Sequence, residues 1–352
     1  MRPLIPAIKW PKNLIAGAKL AVLVAGLFIS WNESVSAQTT FSGKTIRLYI
    51  GTGPGGGYDT YGRLVARHIG RHIPGNPAVL PQNMPGASSL TLTNFLYNNA
   101  PRDGTAIGII NQSMPTEQYL DIGNTNYDSK KFNWIGRATS AVEMAIVWHT
   151  VPVNTIDDVR QRETLMGGTG PTSGTVFGPY LLNNLAGMKF KVISGFNGTT
   201  DIALAMERGE VEGSATPLES LTSYRADWVR DRKIKILLQY TAERDPEMPN
   251  IPTMVELGKT EEARQILGYY ASAADVGRSI VAPPGMGQDA VATLRRAFDE
   301  MLVDPAFLDD VKRMGIQLKP MTGERLQDII LQVANFPQAL IQKARQAREK
   351  PN

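Results

Sequence analysis

The chain has 352 residues, 42% of them apolar, a formal net charge of +4 and no cysteine. Such a length supplies core for one large or two medium domains, and two lobes are the starting expectation. Zero cysteines exclude a disulfide framework, thiolate metal sites and a lipoprotein attachment point, and agree with an oxidising compartment without requiring one.

At the N-terminus, Arg2, Lys9, Lys12 and Lys19 precede an acid-free apolar stretch from Leu20 to Trp31 and then Val35-Ser36-Ala37. That layout predicts an export signal over residues 1–37, cleaved after Ala37. Retention as a membrane anchor is the competing reading, but the apolar run falls short of the ~20 residues that span a bilayer. Cleavage removes four basic residues and one acid, Glu33, so the charge drops from +4 to +1. With no long Lys/Arg run left, nucleic acid is not an expected partner.

Thr45 to Ile50 reads as a strand, stopped by glycine. From Tyr58 to His72, Tyr61, Leu64, Val65, His68, Ile69 and His72 recur at helical spacing, while Arg63, Arg67 and Arg71 form a separate stripe. Pro77 to Leu80 predicts a second strand, a loop at 83–89 leads into a helix reaching Asn98, and Thr105 to Ile110 predicts a third strand. This alternation predicts an α/β sheet with parallel strands. A second unit follows: strand at 143–147, helix at 155–162, strand at 164–167, helix at 201–208 and strand at 233–238. Late helices at 287–303 and 325–348, the second broken at Pro337, are expected to cover the first lobe.

Gly51-Thr52-Gly53-Pro54-Gly55-Gly56 fits G-x-G-x-x-G between strand and helix, but the dinucleotide reading wants an acid some 20 positions on. Val79-Leu80-Pro81-Gln82-Asn83 offers none. A phosphate loop fails for want of Gly-Lys-Ser/Thr. What remains is either a tight turn or backbone N–H groups at a helix N-terminus that attract a small anion. Gly167 to Thr175 repeats the arrangement with added hydroxyls, which suits an anion held between two lobes. Asp59 is placed either to accept helix N-terminal amides or to meet an amine on a ligand.

Only three histidines exist. His68 and His72 are four apart, as two zinc ligands are, but no His-Glu-x-x-His accompanies them, and no metal is expected. Ser173 is off register for a nucleophile elbow, so no catalytic residue is nominated. Asn197-Gly198-Thr199 matches a glycosylation acceptor and equally a turn into the next helix.

Lys44-Thr45-Ile46-Arg47-Leu48 followed by Pro54-Gly55-Gly56-Gly57-Tyr58-Asp59 resembles the opening of the tripartite tricarboxylate transporter receptors, the Bug family. Asn83-Met84-Pro85-Gly86-Ala87-Ser88, Pro101-Arg102-Asp103-Gly104-Thr105, Gly168-Thr169-Gly170-Pro171-Thr172-Ser173, Arg208-Gly209-Glu210-Val211-Glu212, Asn250-Ile251-Pro252-Thr253 and Ile280-Val281-Ala282-Pro283-Pro284-Gly285 continue the resemblance in order. It departs at Ser88 and Ser89, where glycines are usual, at Asn197-Gly198, where Lys-Gly-Gly is usual, and at Val176 and Phe177, where a histidine is common.

The resemblance implies an α/β, two-lobed periplasmic binding protein of the Venus-flytrap, type II-like kind. Lobe 1 comprises 38–140 plus 270–352, and lobe 2 comprises 141–269. It implies a monomer without cofactor that captures a small carboxylate (a di- or tricarboxylate, an aromatic acid or an acidic amino acid) for a multi-span membrane permease. Ligand contacts are expected at Gly55, Gly56, Gly57, Tyr58, Asp59, Ser88, Thr169, Gly170, Thr172, Ser173, Gly174, Thr175 and Asn197. A sensor lobe for a signalling partner and a nucleotide-binding enzyme are the alternatives.

Overall fold

A computed structural model describes residues 41–120, 125–171 and 173–351. The expected export signal and Thr172 lie outside these residues. The first alternation comprises β1 (Thr45–Ile50), α1 (Gly57–Ile69), β2 (Ala78–Asn83), α2 (Leu90–Asn98), β3 (Ala106–Ile109), α3 (Met114–Glu117) and β4 (Asn133–Arg137). The second runs β5 (Glu143–Trp148), β6 (Thr164–Gly168), α4 (Gly174–Ala186), β7 (Phe190–Ser194), α5 (Thr199–Glu207), β8 (Gly213–Pro217), α6 (Leu218–Arg230) and β9 (Ile234–Gln239). The chain then continues through α7 (Glu261–Ala271), α8 (Ala273–Val276), β10 (Ser279–Ala282), α9 (Gln288–Leu302), α10 (Pro305–Met314), β11 (Met321–Thr322), α11 (Gly323–Ala334) and α12 (Gln338–Ala347).

Two sheets result, ordered β11-β4-β10-β3-β1-β2 and β7-β6-β8-β5-β9. Within each, a strand arriving from the other sheet is inserted beside the third strand, and it runs antiparallel to both neighbours. The expected parallel pairing is present among β1, β2 and β3 and among β6, β7 and β8, and the inserted strands make each sheet mixed. Strand–helix alternation predicts the parallel members, but a returning strand enters from the opposite end and must run the other way.

Both sheets carry helices on both faces. On one side of the first sheet, Leu64 and Ile69 of α1 pack with Leu294 and Phe298 of α9 and Phe307 of α10; on the other, Leu92 and Leu96 of α2 pack with Leu326 and Ile330 of α11. The second sheet has Leu181 of α4 and Leu267 of α7 on one face and Met206 of α5 and Trp228 of α6 on the other. Complete burial of such strands explains their continuous apolar runs, with Met144, Ala145, Ile146 and Val147 all inaccessible to solvent or nearly so.

Two local expectations change, and the two histidines of the first helix find partners. The helix expected over 155–162 is a 3-10 segment, Ile156–Arg160, because the next strand begins at Thr164 and leaves too few residues for a full α-helix. The late helices do not all serve the first sheet: Ile341, Ala344 and Ala347 of α12 pack into the core of the second. His68 and His72 each turn Nε2 to a carboxylate, 2.7 Å from Asp310 and 2.9 Å from Asp304, and thereby brace α1 against α10.

Candidate ligand-binding cleft

The first Gly-rich loop leaves β1 at Ile50 and enters α1 at Gly57. Gly55 sits at φ +90°, a conformation that side chains rarely adopt, so the loop can fold back over the start of its own helix. There the Asp59 carboxylate accepts the Gly55 N–H at 2.9 Å, Arg63 Nε at 2.9 Å and Asn83 Nδ2 at 2.8 Å. Burial raises the pKa of Asp59, but the bonds from Arg63, Gly55 and Asn83 outweigh it, and the carboxyl is held below the usual carboxylate range.

The second loop runs from β6 into α4. Ser173 caps that helix through its side chain, which accepts the Thr175 N–H, while Thr175 Oγ1 accepts the Thr169 N–H at 3.0 Å. Glu143, the first residue of β5, lies against the start of the helix: a Cβ on Gly174 would come within 2.0 Å of its Oε2. Thus each Gly-rich loop has one of the protein's own carboxylates at its helix N-terminus.

A third wall comes from the turn before α2. Ala87, Ser88 and Ser89 take φ of +44°, +54° and +84° in succession. Such a left-handed run costs on the order of 1 kcal/mol per non-glycine residue and lifts Ser88 out of the loop. The Ser88 hydroxyl lies 3.4 Å from that of Thr169, and a Cβ on Gly170 would meet Ser88 Oγ at 2.7 Å. Nearby, Gly56 faces Thr199 and Gly53 faces the Asn197 carbonyl. Loops from the two sheets therefore meet on two sides of one cavity of about 260 Å³.

Of the expected contacts, Gly56, Gly57, Tyr58, Ser88, Thr169, Gly170, Ser173, Thr175 and Asn197 line this cavity. Gly55, Asp59 and Gly174 are not among the residues that line it: Asp59 is bonded within its own loop, Gly55 donates to it, and Gly174 lies beside Glu143. Asn197 holds Asp201 through Nδ2 at 3.3 Å, a turn into α5.

The cavity also takes in residues that the sequence did not single out for it. Phe196 and Pro217 add apolar wall, Asn111 a carboxamide, and Glu143 and Arg278 the charges. The Asn111 oxygen accepts both the N–H and the hydroxyl of Ser113, which leaves its NH2 as the donor for the cavity. Arg278 is 2% exposed, with its guanidinium carbon 4.0 Å from the centroid of the Tyr58 ring. Tyr58 is fixed in turn, since its hydroxyl accepts the Gln112 N–H at 2.8 Å. The only signal in the sequence was an arginine between a glycine and a strand, which has no periodicity to mark it.

Comparison with known proteins gives the same picture. Over residues 63–345 the chain matches the family described as tripartite tricarboxylate transporter family receptor. It is 23% identical over 339 residues to the UPF0065 protein in the gbd 5′ region of Cupriavidus necator, covering 94% of this chain and 97% of the relative. Among solved structures it is similar to the periplasmic binding protein BugD (TM-score 0.66, 20% identity, 85% of this chain, 97% of that one). It is also similar to an R. palustris protein with adipate (0.66, 17%, 86% and 97%) and to MatC from Rhodopseudomonas palustris with bound malate (0.64, 18%, 87% and 99%). The two sheets thus form the two-lobed α/β fold of periplasmic binding proteins, and the chain belongs to the tripartite tricarboxylate transporter family of receptors.

Proposed function

We propose that this chain is a periplasmic receptor that closes two lobes on a small carboxylate and delivers it to the membrane subunits of a tripartite tricarboxylate-type transporter. The observation that carries the proposal is the cavity itself, lined by loops of both sheets, where Ser88 of the turn before α2 meets Thr169 and Gly170 of the second Gly-rich loop. A ligand contacting both loops at once favours the closed form, which is the signal a transporter reads. Adipate and malate in the related structures support a carboxylate as the ligand.

In this proposal the lobes divide at 140/141 and 269/270, with α12 lying on lobe 2, and the monomer is the working unit. Gly56, Gly57 and Tyr58 contact the ligand from one side, and Thr169, Gly170, Ser173, Thr175 and Asn197 from the other. Capture requires no cofactor and no chemistry. Export by cleavage after Ala37 makes Gln38 the first mature residue, which N-terminal sequencing of exported protein checks.

Native mass spectrometry of protein purified without refolding, followed by calorimetry with di- and tricarboxylates, aromatic acids and amino acids, tests the function. A retained or titrated organic acid with micromolar affinity is expected. Silence towards every acid in that panel refutes it.

A further inference from the structure

The residues after α12 are fastened to α4, the helix that the second Gly-rich loop enters. Ile341, Ala344 and Ala347 are buried in the core of the second sheet, and Asn184 of α4 donates to the Ala347 and Glu349 carbonyls at 2.8 and 2.9 Å. Arg348, between those two carbonyls in sequence, is thereby held in one place and is 8% exposed. Its guanidinium reaches the other end of α4, where Nη2 donates to the Pro171 carbonyl at 2.6 Å and the centroid of the Phe177 ring lies 4.8 Å away.

Pro171 lies between Gly170 and Ser173, both of which line the cavity. Within the loop the Ser173 N–H donates to the Gly170 carbonyl at 2.9 Å and the Thr169 N–H to Thr175 Oγ1 at 3.0 Å; neither bond involves Pro171, which has no N–H to donate. At Gly170 the loop approaches Ser88 so closely that a Cβ would meet its Oγ at 2.7 Å, so a small movement at Pro171 changes the wall that faces a ligand. Arg348 Nη1 spans both oxygens of the Glu117 carboxylate at 2.9 and 2.8 Å, and that side chain is fully buried. A buried ion pair adds little stability over apolar side chains of the same size. What it does supply is direction: the paired carboxylate fixes the plane of the guanidinium, and with it the line along which Nη2 donates to Pro171.

Resting on the receptor reading above, we propose that Arg348 is a positioning residue for ligand capture. Glu117 orients its guanidinium, the guanidinium holds Pro171, and Pro171 sets the place of Gly170 and Ser173 on the cavity wall. Arg348 thus belongs to the binding machinery without touching the ligand.

Two variants separate positioning from stability. Arg348→Lys keeps a cation beside Glu117, but an ammonium lacks the fork that serves Glu117 and Pro171 together. The double variant Glu117→Leu with Arg348→Met replaces the buried pair by apolar side chains of similar size, a change that such sites tolerate. Native-state hydrogen exchange is read over 168–177 and, as a control, over β1 at 45–50. In both variants exchange over 168–177 should quicken about tenfold, the loss of one hydrogen bond from a charged donor, with 45–50 unchanged. Calorimetric affinity for adipate or malate, whichever the wild type binds, should fall by about the same factor. Exchange over 168–177 within about threefold of wild type overturns the proposal, and so does unchanged affinity in a variant whose loop exchanges faster. Loss of protection over 45–50 in both variants overturns it too, because the pair is then a staple of the whole fold. Silence of the wild type towards every acid in the wider panel sinks the receptor reading, while the exchange series, which needs no ligand, still decides whether Arg348 holds the loop.

Discussion

Replacing Arg348 with alanine tests how the chain end supports the binding loops. Arg348 Nη1 donates to both oxygens of Glu117, at 2.9 and 2.8 Å, Nη2 donates to the Pro171 carbonyl at 2.6 Å, and the guanidinium lies 4.8 Å from the centroid of Phe177. Losing the bond to Pro171 and the ring contact costs about 2 kcal/mol at any pH. The Glu117 part depends on pH. Its side chain is fully buried, and burial raises its pKa to about 7 against the opposing charge and hydrogen bonds of Arg348. Without Arg348 that value climbs further, and a carboxyl with a raised folded pKa gives stability at low pH that is lost as pH rises. Near pH 6 Glu117 takes up a proton in the variant at almost no cost, and only the pH-independent loss is seen. Near pH 8 the wild type holds it ionised and the variant does not, which adds about 1.4 kcal/mol, one pKa unit of difference. Urea unfolding at the two pH values should give losses of about 2 and 3–4 kcal/mol respectively. Equal losses at both pH values, or a total below about 1 kcal/mol, would refute the reasoning.

Two further substitutions probe the loops directly. Asp59→Asn removes the charge that holds Gly55, Arg63 and Asn83 together and should cost about 2 kcal/mol at neutral pH. Because the folded pKa of Asp59 is depressed, its stabilisation is present above the usual carboxylate range and lost as pH falls, so acid titration of unfolding should bring variant and wild type together below about pH 4. Gly170→Ala drives a methyl to 2.7 Å from Ser88 Oγ. Strain of about 1 kcal/mol then falls on the closed form alone, so calorimetry should show about fivefold weaker ligand binding while the unfolding midpoint stays put.

Much of this architecture could be read in the sequence, and the gaps have physical causes. Helix α1 showed itself because Tyr61, Leu64, Val65, His68 and Ile69 all face the core, so apolar spacing and burial coincide. Strands β7 and β8 did not: β7 is largely exposed beyond Phe190, and Gly213 to Pro217 has one β-branched residue, Thr216, and no aromatic to mark a strand. Helix α6 carries Arg225 out of helical geometry, at φ −144° and ψ 47°, and its pattern is broken accordingly. The two Gly-rich loops were visible as donors. That Asp59 turns back on its own loop was one of the two readings the sequence offered, whereas Glu143 at the second helix end was not visible, since it lies some thirty residues before the helix it meets. Sequence spacing reports neighbours along an element, whereas a cleft floor is assembled from segments whose only relation is the crossing of the chain.

The placement of α12 has a mechanical consequence. The chain passes between the sheets before β5 and again before β10, and α12 makes a third passage through 335–337, with Arg348 fastening its far end to Glu117 and Pro171. Two struts leave a pair of rigid plates free to bend and to twist. The third runs beside the second, with the Phe336 ring 4.6 Å from that of Tyr269, so it thickens the connection between the plates there and stiffens it against twist.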